Sequence, residues 1–183
     1  MTTDRHFLFL CASARPNGNS LMLARRAAAA LPAEVVQTWR DLNDPALPAF
    51  HDRRHGDHYD APEGVAAALM ADTLAASDIV FVAPLYWYGL PAAAKLYLDH
   101  WSHWMRVPAT GFKAAMPQKR VWLVMAHSGS TPAQIAPAVD CLRFSADYMH
   151  APLAGVLLGD ANAPGAVADD LAAIAAADRF FTT

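Results

Sequence analysis

Short apolar runs alternate with longer amphipathic stretches along the whole chain. The runs at 7–13 (FLFLCAS), 35–39 (VVQTW), 79–84 (IVFVAP), 121–126 (VWLVMA) and 153–158 (LAGVLL) are short and mostly apolar. That pattern predicts five strands buried on both faces. The stretches between them carry apolar residues at helical spacing: Leu21, Ala24, Ala28 and Leu31; Leu90, Ala94, Tyr97 and Trp101; Ile135, Val139, Leu142 and Ala146; and Val167, Leu171, Ile174 and Phe181. Val65, Leu69 and Thr73 suggest a further helix before the third strand.

Strands separated by helices predict an α/β fold, a parallel sheet with helices on both sides. At 183 residues, without a repeat or linker, residues 1–183 read as one domain. The exception to the alternation is 43–64, NDPALPAFHDRRHGDHYDAPEG, an irregular stretch of a length that usually marks function or mobility. The first strand is not followed by G-x-G-x-x-G, and no Gly-Lys-Ser/Thr phosphate loop occurs. The remaining common arrangement is the five-stranded order 2-1-3-4-5, whose ligand sits at the carboxyl ends of the strands.

Composition narrows the classes. A 55% hydrophobic, 17% charged chain can build a sizeable core, and a net charge of −3 gives no footprint for nucleic acid or an anionic membrane. Lys119-Arg120 is too short to read as a basic patch. Cys11 and Cys141 fall in segments read as buried and have no metal or disulfide spacing, which fits a reducing, cytoplasmic location. The apolar run after Arg5 is shorter than the roughly 7–15 residues of a signal-peptide core, and no run approaches the ~20 of a membrane span.

Three loops at strand ends hold the candidate chemistry. Ser13, Arg15, Asn17, Gly18, Asn19 and Ser20 crowd the first turn, ahead of a helix whose N-terminal amides suit an anion; the plain alternative is an N-cap with a Pro-Asn-Gly turn. Pro84, Leu85, Tyr86, Trp87, Tyr88 and Gly89 place three aromatics in a strand-to-helix loop, suited to a flat heteroaromatic ring or to a neighbouring subunit. His127, Ser128, Gly129 and Ser130 follow the fourth strand and form either a polar edge or an ordinary turn and cap.

The segment from Ser13 to Ser20 resembles the S-x-R-x-x-G-N-S phosphate loop of the NAD(P)H-dependent FMN reductases. That family has a flavodoxin-like three-layer sandwich and includes quinone and azo reductases. The segment from Pro84 to Pro91 is similar to its P-x-Y-W-x-x-x-P loop. The resemblance implies FMN as cofactor, with FAD the secondary candidate, and NADPH or NADH as electron donor. It places Ser13, Arg15, Gly18, Asn19 and Ser20 on the phosphate and residues 84–89 along the ring, with His127 to Ser130 beside it. Ala12 departs from the family, where Gly commonly precedes the Ser.

On this reading the flavin carries the chemistry, and no proton-transfer residue is assigned. The acceptor would be a quinone, azo compound, nitro compound or free flavin, on a face shaped by Trp87, Tyr88 and the loop from His51 to Tyr59. The competing class is an electron-carrying flavodoxin without a nicotinamide site. Such carriers are strongly acidic and lack an arginine in the phosphate loop, so Arg15 and the charge of −3 favour the reductase. A flavin-bound regulatory protein that never turns over is the third reading. His51, Asp52, His55, Asp57, His58 and Asp60 offer metal-ligating types without fixed geometry, and Arg53 or Arg54 is a candidate for a nicotinamide phosphate. In DHWSHW (99–104), core packing and an interface role stay open. Trp104 falls off the stripe of its helix and, with part of the Tyr86–Tyr88 loop, is expected to cover a second surface. This points to a homodimer or a dimer of dimers.

Overall fold

The computed structural model describes residues 5–56 and 58–182. Five strands, β1 His6–Cys11, β2 Val36–Asp41, β3 Asp78–Pro84, β4 Arg120–His127 and β5 Leu153–Asp160, fall where the apolar runs predict them. All pairs are parallel, in the order β2-β1-β3-β4-β5. Six α-helices connect and follow them: α1 Asn19–Ala29, α2 Gly64–Ala75, α3 Ala92–Trp104, α4 Phe112–Ala115, α5 Pro132–Tyr148 and α6 Leu171–Ala177.

Successive residues of a strand point to opposite faces, so each central strand feeds two cores. Leu8, Leu10, Ile79, Phe81, Leu123 and Met125 meet Leu69, Tyr97, Trp101, Ile135 and Leu142 from α2, α3 and α5. Phe7, Phe9, Val80, Val82, Trp122 and Val124 meet Leu23, Ala24, Ala27, Ala173 and Ala177 from α1 and α6. Alanine on the facing helices lets them sit close to the sheet. The result is a three-layer sandwich, each fully buried Leu, Ile or Phe side chain contributing about 1.5–3 kcal/mol.

The amino-terminal edge of the sheet is fastened by Asp78, which is fully buried. Its carboxylate accepts from Arg5 Nη2 at 2.8 Å, Ser77 Oγ at 2.7 Å and Trp122 Nε1 at 2.8 Å, and Arg120 Nε lies 3.0 Å away. Burial pushes its pKa up, but the donors outweigh burial and hold it below the usual aspartate value. Lys119 is also buried, its Nζ donating to Leu74 O and Ala76 O at the end of α2.

Several burial expectations are corrected. β2 is an edge strand with exposed or half-buried residues, and β5, the opposite edge, is largely half-buried. A 3₁₀ turn at Ala166–Asp169 precedes α6 and changes the helical phase. Val167 is buried there, but Leu171 is rotated out to 76% exposure while α6 buries Ala173 and Ala177. Cys11 and Cys141 are half-buried rather than buried; burial still pushes the Cys11 thiol up to about 11.

Trp104 is not spare for a second surface. It is fully buried, its ring 5.4 Å from both Tyr97 and Phe112. The segment after α3 folds back over it, with Thr110 Oγ1 donating to Trp104 O. Among the described residues, no helix is long and apolar enough to cross a membrane.

Candidate functional site

The chain leaves β1 at Cys11 and turns sharply through Ser13 to Gly18. Ser13 Oγ accepts from Arg15 N at 3.1 Å, and Asn17 adopts the left-handed conformation (φ 55°) that asparagine tolerates. Gly18 is the N-cap of α1 and gives it no side-chain capping bond. The first-turn amides of α1 are therefore open to an anion. A Cβ on Gly18 would lie 3.0 Å from Ser13 Oγ and 3.5 Å from Arg15 O, so glycine keeps this cradle clear.

Asn19 and Ser20 are both buried and turned into the protein. Asn19 Nδ2 donates to Ala163 O at 2.9 Å, and its Oδ1 accepts from Gly165 N at 2.9 Å. Ser20 Oγ accepts from Ala126 N at 3.1 Å, which leaves its own proton to donate. These two side chains lock the first loop to the ends of β4 and β5. Asn43, just beyond β2, tethers it from the other side through Nδ2 to Ser13 O at 3.0 Å.

After β3 the chain makes a two-residue reversal. Tyr86 N donates to Gly89 O at 3.2 Å and Gly89 N to Tyr86 O at 3.0 Å. The central residues, Trp87 and Tyr88, both have positive φ, 48° and 63°. This conformation is normally left to Gly, Asn or Asp, and each aromatic here costs on the order of 1–3 kcal/mol of backbone strain. Trp87 is 96% exposed, and Tyr86 and Tyr88 are exposed beside it.

The third loop leaves β4 at His127. Gly129 (φ 60°) donates its amide to Asp160 Oδ1 at 2.7 Å, and Thr131 with Gln134 forms a capping box that starts α5. Thr131 is thus a helix cap, while His127 and Ser128 line the site.

The three loops converge on one cavity of about 170 Å³ at the carboxyl ends of β1, β3 and β4. Its lining includes Ser13, Arg15, Gly18, Asn19, Ser20, Pro84, Leu85, Tyr86, His127 and Ser128, ten of the residues picked from sequence. Asn17, Trp87, Tyr88, Gly89, Gly129 and Ser130 lie in the same loops but outside that lining. Ala126, Ala161 and Asn162 complete the wall and were not anticipated. The small cavity, the uncapped α1 N-terminus and Arg15 fit the phosphate end of a nucleotide, and the exposed aromatic turn fits a flat ring.

The 51–60 stretch does not reach this cavity. It packs against the last turns of α3, with His103 Nε2 donating to Asp60 O at 2.7 Å and the Tyr59 ring stacked 4.9 Å from His103. His100 Nε2 donates to Pro48 O, and burial pushes the His100 pKa down. Arg53 and Arg54 are occupied by Asp60 and Asp52. The stretch borders a separate cavity of about 470 Å³ that shares no lining residue with the first. Asp57 lies outside the described residues; among those described, no three His, Cys, Asp or Glu side chains gather as metal ligands.

Comparison with known proteins gives concordant results. YwqN of Bacillus subtilis (strain 168), named as an NAD(P)H-dependent FMN-containing oxidoreductase, is 26% identical over 174 residues, covering 90% of each chain. An FMN-dependent NADH:quinone oxidoreductase of Kineococcus radiotolerans is 33% identical over 116 residues, 58% of this chain and 47% of its own length. The solved Trp repressor binding protein from Bacillus subtilis superposes with a TM-score of 0.75 at 22% identity, covering 96% of this chain and 97% of its own. Residues 5–179 match the family model described as having a flavodoxin-like fold. With nearly its whole length matched and its strands in the order 2-1-3-4-5, the chain belongs to that flavodoxin-like family.

Proposed function

We propose that the protein is an FMN-dependent NAD(P)H oxidoreductase serving a quinone, azo, nitro or flavin acceptor. The carrying observation is the meeting of two unlike features beside one cavity: an uncapped helix N-terminus with Arg15 in its lining, and Tyr86, also in the lining, which opens the strained, exposed aromatic turn. YwqN, similar over 90% of its length, supports the same reading. The arginine in the phosphate loop favours a reductase over an electron carrier.

When bound, FMN supplies the hydride chemistry, accepting from the nicotinamide and passing to the acceptor. The chain binds and orients. The α1 amides, Arg15, Ser13 and Ser20 hold the phosphate, Gly18 lets it approach, and Asn19 fixes the loop in place. Pro84 to Gly89 support the ring, and His127 to Ser130 border it.

Residues 1–183 act on this reading as one flavin-binding domain. The free cysteines and modest negative charge favour a cytoplasmic protein without nucleic-acid partners. A homodimer or dimer of dimers is supported by the nearly full exposure of Trp87 with Tyr86 and Tyr88 beside it. Steady-state oxidation of NADPH and NADH with a quinone acceptor tests the activity, and parallel initial-rate lines are expected from one cavity used in turn. A flavin-loaded protein without nicotinamide turnover would replace the reductase with a carrier or a regulatory protein.

A further inference from the structure

We infer that His127 and Asp160 form a proton-holding pair at the wall of the cofactor cavity. Asp160 is the positioning residue: it sets the imidazole's tautomer and stabilises its cationic form when negative charge enters the cavity. The inference rests on the flavin-binding reading above and adds a pair of side chains to it.

The two residues close adjacent strands. β4 and β5 pair in register with His127 opposite Asp160, and partners in a parallel ladder present their side chains to the same face. The His127 side chain is only 11% exposed and lines the cavity, while Asp160, at 55%, stands beside it toward solvent. His127 Nδ1 is buried and has no hydrogen-bond partner; Asp160 Oδ1 lies 3.7 Å away. Leaving a buried nitrogen unpaired is costly, so such atoms call for a reason. At 3.7 Å the contact is too long for a hydrogen bond, and catalytic contacts of this kind often tighten once a ligand is present.

Asp160 is held rigidly. Its Oδ1 accepts from Gly129 N at 2.7 Å, and its own amide donates to Asp170 Oδ2 at 2.9 Å. Asp170 in turn accepts from Ala173 N at the start of α6. On the other strand, His127 O accepts from Ala161 N at 2.7 Å. Both members therefore sit on strand ends fixed by backbone hydrogen bonds.

A carboxylate beside Nδ1 favours the tautomer with its proton on Nδ1, leaving Nε2 as the atom that gains or loses a proton. Asp160 on β5 and, behind it, Asp170 at the α6 cap stand on the Nδ1 side of the imidazole, and Arg15 on the first loop and the Tyr86 phenol on the second line the same cavity. The proton comes from solvent, and no bond to the ligand is made or broken.

The test begins with the ligand-free protein. NMR titration of the His127 ring is followed in wild type and in Asp160→Asn, which keeps an oxygen to accept from Gly129 N but removes the charge. The wild-type midpoint should lie higher by ~0.5–1 pH unit, the scale of a partly exposed ion pair. FMN should raise the wild-type midpoint further, and FMN affinity should increase as pH falls through it relative to His127→Asn. The phosphate titrates in both proteins and cancels in that ratio.

Equal midpoints in wild type and Asp160→Asn, with the Gly129 amide resonance unmoved, would overturn the pair. Should Asp160→Asn fail to fold, the affinity ratio against His127→Asn decides: a flat ratio rejects the proposal. A wild-type protein that shows the midpoint difference but binds no FMN would reject the flavin reading and leave the pair standing.

Discussion

Replacing Gly18 with Ala separates the cradle's function from the fold's stability. Gly18 has φ −67° and ψ 160°, extended backbone that alanine adopts without strain. The nearest atoms to the added methyl are Ser13 Oγ at 3.0 Å, Arg15 O at 3.5 Å and Ser13 Cβ at 3.7 Å. Ser13 Oγ must then give way, and moving it loosens the 3.1 Å bond from Arg15 N that shapes the loop. The folded protein keeps its core, and the smaller entropy of the unfolded chain stabilises it by about 0.4–1 kcal/mol. The anion site loses its aligned hydroxyl and the close approach to the helix amides. A hydrogen bond to a charged group is worth about 1.5–3 kcal/mol, so FMN affinity should fall by roughly ten- to 150-fold. Riboflavin, lacking the phosphate, should bind nearly as it does to wild type. Parallel fluorescence titrations with FMN and riboflavin, alongside urea unfolding, read these terms separately. Equal weakening of both flavins, or unchanged FMN affinity with the fold intact, would refute the phosphate assignment.

Three further outcomes follow from the packing. Trp104→Ala should cost about 3–5 kcal/mol in urea unfolding without altering the association state of the folded protein by light scattering; wild-type stability with lost association would return Trp104 to an interface. Asp78→Ala strands Arg5 and the Trp122 indole N–H and should cost about 3–5 kcal/mol at neutral pH. Because the native Asp78 pKa is depressed, its stabilisation is present above about pH 4 and lost as pH falls through the native value; an unchanged acid limb in the variant would contradict this. The native His100 pKa is also depressed, so the unfolded chain binds the extra proton below about pH 6.5 and stability falls with pH there. His100→Gln, which keeps a donor for Pro48 O, should flatten that limb, and the same slope in both proteins would rule His100 out.

The sequence made the central architecture legible because β1, β3 and β4 are covered on both faces and so read as continuous apolar runs. The same signal could not tell edge from centre, and β2 and β5 turned out half-open. Helical spacing failed at Leu171 because the preceding 3₁₀ turn resets the phase, a local break that periodicity does not carry. Trp104 was misread for a different reason: the segment that covers it comes after α3, and contacts from Thr110 and Phe112 are invisible to a stripe drawn on one helix. The first two loops of the site were readable from crowded small polar groups and misplaced aromatics. Asp160 was missed because a lone acid after an apolar run reads as a strand exit, and its role depends on the β4–β5 register. The signal for Asn162 was its place just beyond β5, beside the loop already marked after β4.

The measurement that bears most directly on the account is the visible spectrum of the purified protein with mass analysis of the flavin it releases. A yellow protein that releases FMN, or a colourless apoprotein that takes up FMN on reconstitution, is expected. A colourless protein that gains no flavin absorbance on incubation with excess FMN, while folded by circular dichroism, would contradict it.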